Sequence, residues 1–198
     1  MALKRPVPTL FVARHGETPY ALEPKRMRGW SVDIGLTPKG KLEAAELGVR
    51  LLKLGVTHVI TDDLKRTSLT ADYVARALKV EPIHDPGIRP WHAGELEGQV
   101  VADVQHRIRY FVNNPHECVK GGEPYKTFWD RWGDAFYHYL GRAKETGERW
   151  VIIGHATECL SLPTLVEGGG IPWFTAEDPK PAALFSINAL QPFSVETL

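Results

Sequence analysis

Thr9-Leu10-Phe11-Val12-Ala13-Arg14-His15-Gly16 decides the reading of this chain. Residues 9–13 form a short uncharged run bounded by Pro8 and Arg14, too short for a helix, and read as a buried strand. The strand delivers Arg14, His15 and Gly16 at its carboxyl end, which is where open α/β sheets bind their ligands. The construction recurs twice. His58–Thr61 (HVIT) reads as a second strand and delivers Asp62 and Asp63, with Arg66 in the first turn of a helix that Asp63 is expected to cap. Residues 150–154 (WVIIG) read as a third and deliver His155 and Ala156.

The segments between these strands are helical. Thr37 is a good N-cap and Pro38 fits the first helical turn. Leu42, Ala45, Val49 and Leu52 recur at helical spacing and are expected to form the buried stripe, with Gly55 as the stop. Ala71, Val74, Ala75 and Leu78 form the stripe of the next helix, and residues 81–84 read as a weaker strand. Helical patterns follow over 100–112 and 125–144. In the second, Trp129, Trp132 and Phe136 share a face, which reads as packing surface. A further helix either begins near Thr157 and kinks, or begins afresh at Pro163. Residues 183–189 read as a last strand, and 19–36, 85–98 and 167–181 as loops. Strands alternating with helices predict a three-layer α/β/α sandwich with a mainly parallel sheet.

Composition narrows the function. Lys and Arg total 24, Asp and Glu total 24, so the 198-residue chain has no net field to recruit nucleic acid or an anionic membrane. Affinity for an anion has to come from a local cluster. No run approaches the roughly 18 apolar residues of a membrane span. The two cysteines, Cys118 and Cys159, share no CxxC spacing, and no pair among the eight histidines has HExxH spacing. The expectation is one domain over 1–198, soluble and cytoplasmic, without a metal. Oligomeric state is not legible.

The cluster is at hand: Arg14, His15, Arg66 and His155 all leave strand ends. A neutral imidazole is a good nucleophile toward phosphorus and splits one hard step into two. Arginine offers planar donors to phosphate oxygens and keeps its charge, and a helix N-terminus beside Arg66 adds free N–H groups. A protonated His155 would stabilise charge on the phosphoryl oxygens. Gly16 would let the backbone approach the substrate, and Thr18 would offer a hydroxyl. Taken singly, each has an ordinary structural explanation. Their joint placement on one rim points to phosphate.

Five ordered blocks carry a family resemblance. FVARHGET resembles the signature of the histidine phosphatase superfamily, also called phosphoglycerate mutase-like. TDDLKRTSLTA is similar to its S-x-L-x-R-x-x-x-T-A block, GELEG to G-x-x-E-G, GGEP to G-G-E-S, and IIGHA to the second histidine motif. The resemblance implies His15 as phosphoryl acceptor, with Arg14, Arg66 and His155 completing the pocket. It also implies a helical insertion at about 99–145 forming a small lid subdomain, and neither metal nor organic cofactor.

Two departures bear on chemistry. Pro90 stands where the family's best-known members carry the glutamate that protonates the leaving group, a function worth about 10² to 10⁴ in rate. His92 is the first-ranked substitute, ahead of Glu95 and of Glu158, which follows the second histidine. Ala21 replaces a common asparagine, and Arg28 sits where it could add a cation to the pocket mouth. The expected activity is hydrolysis of a small phosphorylated metabolite through a phosphohistidine on His15. A binding module for phosphorylated ligands and a phosphoglycerate-type mutase are the competing readings.

Overall fold

A computed structural model describes residues 7–167, 180–188 and 195–198. Strands β1 (Thr9–Arg14), β2 (His58–Thr61), β3 (Ile83–His84), β4 (Arg149–Gly154), β5 (Leu184–Asn188) and β6 (Val195–Thr197) form one sheet in the order β3-β2-β4-β1-β5-β6. The first four are mutually parallel where they pair. β5 runs antiparallel to β1, and β6 antiparallel to β5. β6 has no counterpart in the sequence reading. The expected loop 167–181 falls almost wholly outside the described residues.

Side chains alternate between two faces along the central strands. Leu10, Val12, Ile60 and Ile152 pack with Trp132, Phe136 and Leu162 from α4 (Tyr125–Thr146) and α5 (Ala156–Glu167). Phe11, Ala13, Val59, Val151 and Ile153 pack with Leu47, Leu51 and Val74 from α1 (Pro38–Lys53) and α2 (Lys65–Leu78). The result is the three-layer sandwich. Of the two helices expected in the insertion, α4 is a layer helix whose aromatic face is internal. The other, α3 (Val101–Asn113), contributes Val101, Gln105, Ile108 and Arg109 to the cavity described below.

Two local expectations are corrected, and one alternative is decided. Leu42, Val49 and Leu52 of α1 are exposed, Leu42 at 67%, and the buried stripe is Gly40, Ala44, Leu47, Gly48 and Leu51. Periodicity alone chose the larger side chains, but α1 packs closely on α2 through its small ones: a Cβ on Gly48 would lie 2.9 Å from that of Ala77. Asp63 does not cap α2. Asp62 takes the Leu64 N–H at 2.9 Å, while the exposed Asp63 is drawn off by the half-buried Arg89, whose Nε donates to it at 2.6 Å. Of the two starts open for the last helix, the one near Thr157 holds: α5 starts at Ala156 and runs through Pro163, held on both sides of the proline by buried Ser161, Leu162 and Leu165.

Trp132 is fully buried and donates from its indole to Ser161 Oγ at 2.8 Å. Trp132→Ala should lower stability by about 3–5 kcal/mol, whereas Leu42→Ala should stay within about 0.5 kcal/mol. Denaturant unfolding of the two variants checks both.

Candidate active site

The carboxyl ends of β1, β2 and β4 open onto a cavity of about 560 Å³ lined by Arg14, His15, Arg66, His155 and Ala156, among others. The parallel register sets Arg14 beside Gly154, so the two histidines that follow are neighbours, with ring centroids 5.4 Å apart.

The state of His15 follows from one contact. Its Nδ1 lies 2.7 Å from the Gly16 carbonyl oxygen, which can only accept, so Nδ1 carries the proton and the Nε2 lone pair is left for chemistry. Burial holds the imidazole well below its ordinary pKa, and His155, Arg28, Arg66 and Arg14 lower it further. His15 is therefore a neutral imidazole with a free lone pair in a cationic surround.

Arg66 is buried and spends three N–H groups on the protein. Nη2 donates to Gly29 O at 2.8 Å, Nη1 to Val32 O at 3.2 Å, and Nε to His155 Nδ1 at 3.2 Å. Two of its five N–H donors remain for a phosphate oxygen. Because Arg66 can only donate, His155 accepts at Nδ1 and carries its proton on Nε2, which donates to Asp62 Oδ2 at 2.6 Å. Burial pushes His155 down to about 4 against the pull of Asp62, with Arg66 and Arg28 adding to the depression. Burial would raise the Asp62 carboxyl, but His155, Thr67 and the Leu64 N–H hold it below its usual value. These two contacts are those of a neutral imidazole, held between Arg66 and Asp62. Ala156 and Thr157, opening α5, line the cavity and add the positive end of a helix.

The remaining sequence candidates separate. Arg28 lines the cavity as expected. Gly16 and Thr18 are not among its lining residues. Gly16 has a packing reason to lack a side chain, since a Cβ there would lie 2.4 Å from Gly40 O, and its N–H donates to Thr70 Oγ1 at 3.1 Å. Thr18 is fully buried. His92, the expected acid, is not in the lining either: its ring stacks on Trp30 at 4.8 Å, and Nε2 lies 3.9 Å from Glu97. Glu95 pairs with Arg107 at the surface. Pro90 does line the cavity.

Two residues escaped functional assignment in the sequence. Asp62 leaves the same strand end as Arg66, and that shared exit was the available signal. Glu97, the second carboxylate of the GELEG block, accepts from Trp30 N at 3.0 Å, Ser31 N at 2.5 Å and Ala93 N at 2.9 Å. It ties together the two loops that flank the cavity, and one of them supplies Gly29 O and Val32 O to Arg66.

Comparison with known proteins shows the family. A family model for the histidine phosphatase superfamily (branch 1) matches residues 10–174. The chain is 41% identical over 158 residues to "Probable phosphoglycerate mutase GpmB" of Serratia proteamaculans, covering 76% of this chain and 72% of the relative. Its fold is similar to Bacillus stearothermophilus YhfR, with a TM-score of 0.79 at 24% identity, covering 96% of this chain and 95% of that one. It is also similar to the alpha-ribazole phosphatase from Shigella flexneri, with a TM-score of 0.77 at 19% identity and the same coverage. With that family model spanning most of the chain and a 41%-identical relative covered to 72% of its length, the chain belongs to the histidine phosphatase superfamily.

Proposed function

We propose that the chain is a phosphomonoesterase that hydrolyses a small phosphorylated metabolite through a phosphohistidine on His15. The observation that carries this is the His15 tautomer: its contact with Gly16 O leaves a lone pair on Nε2, on a residue that lines the cavity together with Arg14 and Arg66. Nε2 attacks phosphorus, the bond to the leaving alcohol breaks and the alcohol oxygen takes a proton. Water then attacks the phosphohistidine, the N–P bond breaks, and neutral His15 returns with release of inorganic phosphate. Arg14 and the two remaining donors of Arg66 meet the charge on the phosphoryl oxygens. Arg28 suits a substrate that carries a second anionic group.

A mutase is the second reading, favoured by the name of the 41%-identical relative. A mutase must protonate and deprotonate two different oxygens of its substrate, and the loop position expected to do so is Pro90. Hydrolysis asks less of that position. The fold likeness to an alpha-ribazole phosphatase lies on the same side.

Wild type should release phosphate from p-nitrophenyl phosphate in the presence of chelator, and His15→Ala should lose at least ~10³ in kcat/KM. Interconversion of phosphoglycerates faster than phosphate release would replace the phosphatase reading with the mutase one. Activity in His15→Ala equal to wild type would remove both. Because the His15 pKa is depressed, the nucleophile is lost only as pH falls through that lowered value. The acid limb of kcat/KM should therefore lie well below pH 6.5, as a pH series on one substrate will read. Asp62→Asn keeps size but releases the His155 proton from its carboxylate, and should lower kcat/KM by ~10-fold or more with the fold intact. An unchanged kcat/KM would show that the pair does not act in turnover.

A further inference from the structure

The phosphoryl chemistry occupies one end of the cavity and leaves most of its space without a role. On the phosphatase reading, the group that His15 attacks sits with Arg14 and Arg66 at the strand ends, whereas the whole cavity measures about 560 Å³. Pockets of roughly 300–1,000 Å³ take ligands of drug size, so a phosphate and three carbons underfill this one. The alcohol is bonded to the phosphoryl group, so its body has to lie in the space that remains.

One face of α3 walls that space. Val101, Gln105, Ile108 and Val112 follow one another at the spacing of a single side of a helix, and each of them lines the cavity. Gln105 is the one polar member of this stripe. Val112 belongs to the core cluster and Ile108 packs against it, so the stripe is anchored. Trp91 and Tyr125, which meet edge to face at 5.3 Å, and Leu160 of α5 extend the apolar lining. Side chains of this kind gain by contact with apolar surface. They offer nothing to the hydroxyl and carboxyl groups of a short polyol acid, which would lose their water against them. The lining cations answer to the phosphoryl group and to a second anion, and the stripe answers to neither.

We propose that the substrate is the phosphomonoester of a bulky, predominantly apolar alcohol, whose body lies against Val101, Ile108 and Val112 while its phosphoryl group meets His15. The proposal rests on the phosphatase reading of the same site and names the class of alcohol that it releases. It makes α3 the element that selects among phosphomonoesters, through apolar contact.

The test compares phenyl phosphate with 2-naphthyl phosphate. The two release phenols of similar basicity and differ by one fused ring, so their ratio reads the wall and not the bond being broken. Wild type should favour 2-naphthyl phosphate by at least ~10-fold in kcat/KM. Ile108→Asn, with folding checked by thermal melting, should lose at least ~5-fold more kcat/KM on 2-naphthyl phosphate than on phenyl phosphate. The wild-type ratio stands even if the variant fails to fold. In His15→Ala, calorimetry should find 2-naphthyl phosphate bound more tightly than 3-phosphoglycerate. Equal kcat/KM on the two aryl phosphates, equal losses in Ile108→Asn, or tighter binding of 3-phosphoglycerate overturns this proposal while leaving the phosphatase reading in place. Absence of His15-dependent turnover removes the phosphatase reading, and this proposal with it.

Discussion

The guanidinium of Arg66 is the constraint on which the rest depends. A buried cation is tolerable only when its hydrogen bonds are met, and here they are met by Gly29 O and Val32 O of one loop and by Nδ1 of His155 at the end of another strand. Meeting them decides several things at once. It fixes the path of the loop after β1, sets the tautomer of His155, and through His155 Nε2 places the proton against Asp62. Glu97 takes up two N–H groups of the same loop, those of Trp30 and Ser31. The pocket is organised before any phosphate arrives, so the cost of gathering like charges is met in folding rather than in binding.

A division of labour follows between the two sides of the sheet. The side of α1 and α2 carries close packing through glycines, and it holds the loop after His15 by the Gly16–Gly40 approach and the Thr70 hydroxyl. The side of α4 and α5 carries large aromatics, and it also holds the buried Tyr125, which lines the cavity, and the buried Glu158. Rigidity on one side and titratable chemistry on the other meet at the ends of β1 and β4, where a single residue of register decides whether His15 and His155 face one another.

Much of this was legible in the sequence. Short apolar runs ending in Arg14-His15, Asp62 and Gly154-His155 located the strands and the rim, because a buried strand has few ways to be written and its polar exit residues stand out. The corrected stripe and the corrected cap share a cause: local periodicity and capping preference see one helix, whereas burial and partner choice are settled by what packs against it. Leu42 is apolar and periodic, yet α2 needed glycine and alanine in order to approach. Asp63 is a good cap by type, yet Arg89, distant in sequence, claims it. The ring of His92 likewise could be placed only by knowing that Trp30 folds back to stack on it. Tertiary partners of this kind leave no local trace.

The contribution of α3 to the cavity has a consequence for how the protein can change. The floor, made of strand ends, is shared with the sheet and cannot be altered without disturbing the core. The wall contributed by Val101, Gln105, Ile108 and Arg109 belongs to a helix with few core residues, only Val104 and Val112 being buried. Chemistry and selectivity are therefore written in separable stretches of sequence. One can drift while the other is held, which is how a single phosphoryl-transfer floor can come to serve many alcohols.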